Sequence, residues 1–369
     1  MSNLLEYLES VIDLRQAGKV KHLMKDIIAL VFFATLANAS GWEDIYYFAV
    51  MNEKILRKYL ELPHGMPSHD TIERVIAMVS PEFLQGYQKL WNELMSSEEG
   101  EKLKKLLALD GKTQRGNGRG SRKANHIVSA VDGDGFCLGE TKTEEKSNEI
   151  TAIPELLDQL NIKNHIITTD AMGCQTEIVK KIRRKHADYV LALKGNQGSL
   201  HEDVKLYFND PKLLARCQYA KTQEKARGGI EKREYWQTTD ISWLTQKKDW
   251  SGLTSIAITR NTITRNGKTT IDDRYFISSL PLNVKEIARA IRGHWMVESY
   301  HWHLDVTFRE DADHTLDKDA AYNLNIIRKI TLNILKLLDV GMNRKVSLRS
   351  KRFILSIALE SFLDELMAL

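Results

Sequence analysis

Three acidic residues have the types and the local settings that metal-assisted phosphodiester chemistry requires. Asp110 and Asp170 each end a short apolar run, and Glu298 lies within a helix-like stretch. Hard cations such as Mg²⁺ prefer carboxylate oxygens as ligands. Two such cations a few Å apart can stabilise both the attacking and the leaving oxygen of an in-line displacement. The three residues therefore predict a nuclease-like site that binds two divalent cations.

The two aspartates are expected to meet if their strands are parallel neighbours, because the carboxyl ends of parallel strands share one edge of a sheet. A predicted helix over residues 148–160 provides the crossover that such pairing requires. Carboxylates about 4 Å apart repel each other by about 4 kcal/mol at an effective dielectric constant of about 20. A bound cation would remove that repulsion, and without one at least one carboxylate should take up a proton.

Glu298 shares its predicted helix face with aromatic and ionisable side chains. One interpretation is an aromatic stripe that packs in the core around a satisfied glutamate. Another is a zinc site, although the order of the residues differs from the His-Glu-x-x-His pattern of metalloproteases. Indole rings suit a stacked base or sugar better than a closed zinc tetrahedron. The residues on this face are His294, Trp295, His301, Trp302 and Asp305, and the zinc ligands would be His294, Glu298 and His301.

Cationic residues near the two aspartates are candidates for contacts with a nucleic-acid backbone. Lys194 and Asn196 follow a predicted strand, where either a phosphate-binding turn or an ordinary surface turn fits the pattern. The glycine-rich loop after Asp110 is either a track for a DNA backbone or a solvated hairpin tip. Its basic residues are Lys112, Arg115, Arg119, Arg122 and Lys123. The loop is not a nucleotide-binding P-loop, because Leu106 replaces the glycine that this motif requires.

The hydrophobic pattern divides the chain into three predicted domains. Residues 1–98 are predicted to form a helical domain that ends in a polar linker at 96–101. Residues 99–315 are predicted to form an α/β domain with a β-rich insertion at about 215–280. Residues 316–369 are predicted to be a C-terminal helical region.

The middle domain begins with strands and then alternates helices with strands. The sequence Asp-Gly-Asp-Gly at 132–135 predicts a hairpin turn between the second and third strands. The order β-β-β-α-β-α-β predicts a mixed sheet covered by helices. The predicted strands are 106–110, 126–131, 136–141, 165–169 and 189–193, with 232–238, 255–260 and 274–277 in the insertion, and the predicted helices are 149–160 and 177–186.

Composition limits the compartment and the class of protein. The net charge of +4 means that any nucleic-acid footprint must come from local clusters. Cys137, Cys174 and Cys217 show no paired spacing, which fits a reducing compartment and excludes a cysteine-based zinc knuckle. The N-terminus lacks the order of a signal peptide, and the most apolar stretch, 27–39, is shorter than the ~20 residues of a membrane span. We therefore expect a cytoplasmic protein with no membrane span.

Five ordered motifs extend from the first aspartate to the last helix of the middle domain. They are residues 109–113, 145–154, 169–175, 193–197 and 294–306. Together with residues 41–45 and 67–75, they make the chain resemble the H-repeat-associated transposases over nearly its whole length. These are bacterial insertion-sequence enzymes of the DDE type, also called the ISAs group.

The resemblance implies a fold, a triad and partners. The fold would be an α/β, RNase H-like mixed sheet with a β-rich insertion before the last catalytic helix and a helical, DNA-binding N-terminal domain. Asp110, Asp170 and Glu298 would be the catalytic, metal-binding triad for two Mg²⁺ ions, with Mn²⁺ as the alternative. The partners would be the inverted repeats at the transposon ends, the target DNA and a second copy of the chain on DNA. The protein would be associated with the bacterial nucleoid and use neither a membrane nor a nucleotide cofactor.

The chain departs from the family pattern around the glutamate. Related transposases carry a Tyr-Arg-Glu-Lys signature there, and the aligned tyrosine, arginine and lysine positions are Ile291, His294 and Asp305 in this sequence. Arg292, His294 and His301 are the candidates to make the DNA contacts of the missing residues.

The sequence therefore predicts a DNA transposase that cuts insertion-sequence ends and joins them to target DNA. One alternative is a domesticated DNA-binding protein that has lost catalysis. Another is a DDE-type nuclease that cuts without strand transfer.

Overall fold

The computed structural model describes residues 4–95, 104–118, 120–121, 123–143, 148–226 and 228–363. Several predicted features fall outside these ranges. They are the linker at 96–101, the basic residues Arg119 and Arg122, and residues 145–147 of the second motif.

Within the described residues, nine strands form one mixed sheet in the order β3-β2-β1-β4-β5-β9-β8-β7-β6. The β1–β4 and β4–β5 pairs are parallel, and the other pairs are antiparallel. The sequence prediction of a meander followed by crossover units is confirmed. The strands are β1 (Lys105–Thr113), β2 (His126–Asp132), β3 (Cys137–Thr143), β4 (His165–Thr169), β5 (Asp188–Leu193), β6 (Gln218–Ala226), β7 (Gly229–Thr238), β8 (Ser255–Arg265) and β9 (Lys268–Ser278).

β1 is longer than predicted, and Asp110 lies inside it rather than at its end. The parallel pairing of β1 with β4 stops at the Leu109–Thr169 pair. The antiparallel pairing with β2 continues to the Thr113–His126 pair. The prediction of a strand end at Asp110 was wrong because it did not allow for this second partner. Asp110 nevertheless marks the carboxyl edge of the parallel part of the sheet.

The same described residues contain fourteen α-helices, which cover both faces of the sheet. None of them is both long and apolar enough to cross a membrane. They are α1 (Leu4–Leu8), α2 (Met24–Leu36), α3 (Trp42–Met51), α4 (Glu53–Leu56), α5 (His69–Met78), α6 (Pro81–Met95), α7 (Glu149–Gln159), α8 (Thr176–Arg184), α9 (Ser199–Asn209), α10 (Pro211–Leu214), α11 (Val284–Gly293), α12 (Trp295–Trp302), α13 (Lys318–Leu337) and α14 (Leu348–Ala358).

The alternation of side chains along β1 assigns the two faces of the sheet. Leu107 and Leu109 pack in a core with α7, α8 and α9. Leu106 packs with α11, and Ala108 packs in the core that contains α12 and α13. Asp110 continues this second series, so its side chain points to the face that carries α11 and α12.

The insertion extends the core sheet. β9 pairs with β5, and β8, β7 and β6 follow outward. The three strands predicted in this region are present but longer, while β6 and the helices α9 and α10 were not predicted. The outer half of β9 is exposed and polar, so it lacks the apolar alternation that predicts a half-buried strand. Cross-strand pairing with β8 holds it in place.

The N-terminal and C-terminal helices share one hydrophobic core. α2 is buried along nearly its whole length, and it packs against α13. The Asn323 side chain of α13 donates hydrogen bonds of 2.8 Å to the backbone oxygens of Ile76 and Val79. The core also takes in Val297 and Tyr300 of α12, so the helical body supports the helix that carries Glu298.

Candidate active site

Asp110 and Asp170 lie side by side at the carboxyl edge of two parallel strands. Each directly follows a member of the last pair, Leu109 and Thr169, in the β1–β4 register. The Oδ1 atom of Asp170 accepts backbone N–H bonds from Met172, at 2.9 Å, and from Gly173, at 3.3 Å. These bonds fix the turn after β4, and no hydrogen bond from the described residues reaches the Oδ2 atom of Asp170.

Glu298 lines the same cleft as the two aspartates. It projects from α12, which packs against β1 and β2. We call the cleft whose lining includes Asp110, Asp170, His294 and Glu298, together with side chains of β5, β7, β8 and β9, the first cleft, and its volume is about 760 Å³. The Glu298 side chain is exposed to this space. Carboxylates from β1, from the turn after β4 and from α12 therefore face one cavity.

Asp110 is largely buried, and two histidines offset the effect of that burial. Burial raises the pKa of Asp110, but the hydrogen bond and charge of His301, together with the charge of His294, bring it below its ordinary value. The Nδ1 atom of His301 lies 3.4 Å from Asp110 Oδ2, and His301 itself is buried. The Nε2 atom of His301 has no hydrogen-bond partner among the described residues. The Nδ1 side of the His301 ring therefore faces Asp110.

His294 lines the first cleft and feels the charges of all three carboxylates. Its Nδ1 atom is 3.0 Å from the Thr168 hydroxyl on β4. Burial lowers the pKa of His294, although the charges of Asp110, Glu298 and Asp170 act in the opposite direction. His294 and the three acids line the same cleft.

The helix-like stretch around Glu298 consists of two helices. α11 ends at Gly293 and α12 begins at Trp295. The predicted helix through residues 291–298 is therefore divided at His294, while Trp295, Glu298, His301 and Trp302 lie on one helix as predicted. His294, Trp295 and Glu298 line the first cleft. The other residues of the predicted face have different surroundings. His301 faces Asp110, Trp302 is exposed to solvent, and Asp305 pairs with Lys112.

Three arginines surround Trp295 at the boundary of the first cleft. The guanidinium carbons of Arg292, Arg274 and Arg233 lie 4.9, 5.8 and 5.9 Å from the indole centroid, respectively. Arg233 is on β7 and Arg274 on β9. These two arginines belong to no motif of the sequence that links strands of the insertion to Glu298, so they could not be predicted.

Lys112 is held by acidic side chains from the segment after α12. Its ammonium lies 2.7 Å from Asp305, 2.9 Å from Glu310 and 3.2 Å from Asp311. Arg115 is exposed and lies 3.9 Å from Asp311. The ion pairs of Lys112 join β1 to the chain beyond Glu298. The predicted DNA contacts of this loop, including Lys123, stay predictions.

Side chains of the turn after β5 donate hydrogen bonds to the turn that contains Asp170. The Asn196 side chain donates a 2.7 Å hydrogen bond to the Ala171 oxygen, and Gln197 donates one of 2.6 Å to the Cys174 oxygen. Lys194 is exposed and lines the first cleft. Asn196 thus has a structural partner, while Lys194 faces the first cleft.

The three carboxylates have the oxygen donors that a hard divalent cation requires. As the side chains stand, no group of three His, Cys, Asp or Glu residues in the described ranges is close enough to hold a metal ion. The unbonded Oδ2 of Asp170 and the exposed carboxylate of Glu298 both face the cavity that Asp110 enters. The chemistry of the donors therefore fits such a cation.

Comparison with known families gives matches over most of the chain. Residues 101–334 match the family described as "Transposase DDE domain", and residues 5–92 match the one described as "DDE_Tnp_1-associated". The chain is 39% identical over 350 residues to "Putative transposase YncI" of Escherichia coli O157:H7, covering 91% of this chain and 88% of that protein. It is 37% identical over 369 residues to "H repeat-associated putative transposase YhhI" of Escherichia coli K12, covering 94% of each.

Proposed function

Because this chain belongs to the family of DDE-domain transposases, we propose that it cuts DNA at the ends of an insertion sequence and joins those ends to target DNA. One observation carries the proposal. Asp110 and Asp170, from adjacent parallel strands, and Glu298, from α12, face one cleft. No serine or tyrosine nucleophile is assigned, because water and then a DNA 3′-hydroxyl can act as the attacking groups.

Asp110, Asp170 and Glu298 would hold the divalent cations, with Mg²⁺ as the expected ion and Mn²⁺ as the alternative. When bound, such cations supply an activated attacking oxygen and stabilise negative charge on the phosphate. The protein contributes the positions of the ligands. The Asp170 turn is fixed by backbone N–H bonds, and His301 faces Asp110. Joining two element ends requires two such sites, so we propose a homodimer on DNA.

The Asp110→Asn variant tests the proposal. It removes one charged ligand and keeps the shape of the side chain. Cleavage of DNA taken from the flanks of the gene should fall by roughly a thousandfold or more with Mg²⁺, because several kcal/mol of charge stabilisation would be lost. DNA binding should remain. Asp158→Asn changes an exposed carboxylate on α7 and should cut at the normal rate.

A strand-transfer assay with paired element ends separates the proposed function from its alternatives. Joined product supports a transposase. Cut DNA without joining would indicate a DDE-type nuclease, and bound but uncut DNA would indicate a domesticated DNA-binding protein. Undiminished cleavage by Asp110→Asn would reject the assignment of the triad.

A further inference from the structure

A second cleft adjoins the first one at the Trp295 boundary. Its volume is about 1080 Å³, and its lining includes Lys105, Arg265 and the three boundary residues Arg233, Arg292 and Trp295. Those three residues also line the first cleft. The second cleft is floored by the start of β1 and the β2–β3 turn, and it is bounded by β7, β8 and α11. A chain that leaves the first cleft across Trp295 would therefore enter the second.

The acidic side chains of the second cleft are already engaged. Glu224 and Glu231 each lie 2.6 Å from the Arg233 guanidinium. Asp132 accepts backbone N–H bonds from Asp134, at 3.0 Å, and from Phe136, at 2.8 Å. These contacts tie three of the four acids in the cleft to groups of the protein, and the fourth is Asp134.

The cations of the second cleft are engaged less completely. Its lining includes Lys104, Lys105, Arg233, Arg265, Arg289 and Arg292. The side chains of Lys105 and Arg265 are exposed and make no ion pair within the described ranges. Arg292 reaches an acid only at 3.7 Å, where it faces Glu224. Positive charge that no nearby acid neutralises therefore points into the cleft.

The boundary between the clefts also presents cations. Arg292 and Arg274 are both exposed, and both lie beside the Trp295 ring, while Arg274 also pairs with Asp272 at 2.7 Å. A planar guanidinium that is held against an indole keeps its N–H donors in a fixed direction, which suits contacts with phosphate oxygens. Cations therefore line the first cleft, the second cleft and the boundary that the two clefts share.

We propose that the second cleft binds the backbone phosphates of the DNA that adjoins the scissile position. The inference rests on the proposed function, because it takes the first cleft as the place of cutting. A nucleic-acid backbone carries closely spaced negative charges, and it can follow a series of cations that continues from the reacting phosphate. The bound segment is either an extension of the cut strand or its complement, and both present the same phosphates.

The test measures DNA affinity in an Asp110→Asn background, so that the probe stays uncut. Two duplexes from the flanks of the gene are compared. One ends at the cleavage position, and the other continues beyond it. Lys105→Glu and Arg265→Glu should weaken binding of the longer duplex only. The slope of log affinity against log salt concentration should fall by about one for each lost phosphate contact.

Lys247→Glu provides the matched control, because Lys247 is exposed and lines neither cleft. Lys105→Gln and Arg265→Gln replace the charge reversals if either protein fails to fold. Probes with a single-stranded extension on the cut strand or on its complement identify which one enters the cleft. Equal binding of the longer duplex by the Lys105, Arg265 and Lys247 variants would overturn the inference. It would leave the proposed function standing, since that depends on the loss of cleavage in Asp110→Asn.

Discussion

Asp110 combines two conditions that oppose each other. Its carboxylate is largely buried, which disfavours charge, yet its pKa lies below the ordinary value because His301 and His294 act on it. A lowered pKa keeps the group ionised near neutral pH and so ready to bind a cation.

Gly111 follows Asp110 on β1, and the position of its missing side chain is on the opposite face of the sheet. There it meets the buried pair of His126 and Glu149, whose Nε2 and Oε1 atoms are 2.6 Å apart.

Gly111→Ala should therefore disturb the position of Asp110 through contacts on the opposite face of the sheet. A Cβ atom at this position would overlap the Glu149 carboxylate and the His126 ring. Overpacking of this kind typically costs about 1–3 kcal/mol. We expect a decrease of that size in the free energy of unfolding, measured with urea, and slower DNA cleavage because β1 shifts beside Asp110. Gly18→Ala is the control, since a Cβ there meets no atom within 4 Å. Equal stability of the two variants would contradict the close approach.

The residue types and their order were sufficient to predict that Asp110 and Asp170 lie together, but not that Asp272 and Asp273 of β9 also line the cleft. Asp110 and Asp170 follow apolar runs that could only be buried strands, and their parallel pairing brings them together. The role of His301 could not be predicted in this way. Helical spacing placed it beside Glu298, whereas its Nδ1 atom faces Asp110 because α12 crosses β1. Contacts between elements decide such partners, and one sequence does not show them.

At the scale of elements, the position of Glu298 depends on how the chain after α12 returns to β1. A π-helical turn at His303–Thr307 follows α12 and contains Asp305. The ion pairs of Lys112 with Asp305 and Glu310 tie this segment to the strand that carries Asp110. Glu310 is fully buried, and it also accepts a 2.6 Å hydrogen bond from Asn325 of α13. The Glu310 carboxylate thus links the segment that follows α12 both to β1 and to α13.

Glu310→Gln should weaken this junction in a pH-dependent way. Burial raises the pKa of Glu310, but the charges of Lys112 and Arg328, with hydrogen bonds from Asn325 and Lys112, bring it down to about 2 from an ordinary 4.5. Stability from a lowered pKa is fully present above 4.5 and is lost as the pH falls toward 2. We expect the variant to lose about 3 kcal/mol of unfolding free energy at neutral pH.

Denaturant titrations across this pH range measure the effect. The difference between wild type and Glu310→Gln should shrink as the pH falls, because the wild-type carboxylate then becomes protonated. Glu155→Gln changes an exposed carboxylate of α7 and should leave stability unaltered at every pH. A difference that stays constant with pH would show that the charge of Glu310 does not stabilise the junction.

Helices and strands could be predicted where burial gives the apolar residues a regular spacing or a continuous run. β4 has the bounds that its apolar run predicts, and the Asp-Gly-Asp-Gly turn joins β2 to β3 as expected. β6 was missed because its charged and polar residues show no apolar face. It forms through backbone pairing with β7, which a pattern of side chains does not reveal.

At the scale of the whole molecule, the two ends of the chain form one helical body behind the sheet. The Trp42 indole donates a 2.8 Å hydrogen bond to the Thr315 hydroxyl. Arg352 of α14 is buried and donates to the backbone oxygens of Thr35 and Ala39. The predicted division at residues 98 and 315 stays a prediction. Because the N-terminal helices share one core with α13, we expect residues 1–98 to need α13 in order to fold.

Residues 1–98, produced as a fragment, should lack a cooperative fold. Separation from α13 would expose the apolar side chains of α2, which are buried in the full chain. It would also remove the Asn323 side chain from the Ile76 and Val79 oxygens. Circular dichroism should therefore show reduced helicity and a broad thermal transition, and addition of residues 316–369 should raise the helicity. A sharp transition of the isolated fragment would instead establish an independent N-terminal domain, because a body that needs α13 for its core could not unfold cooperatively without it.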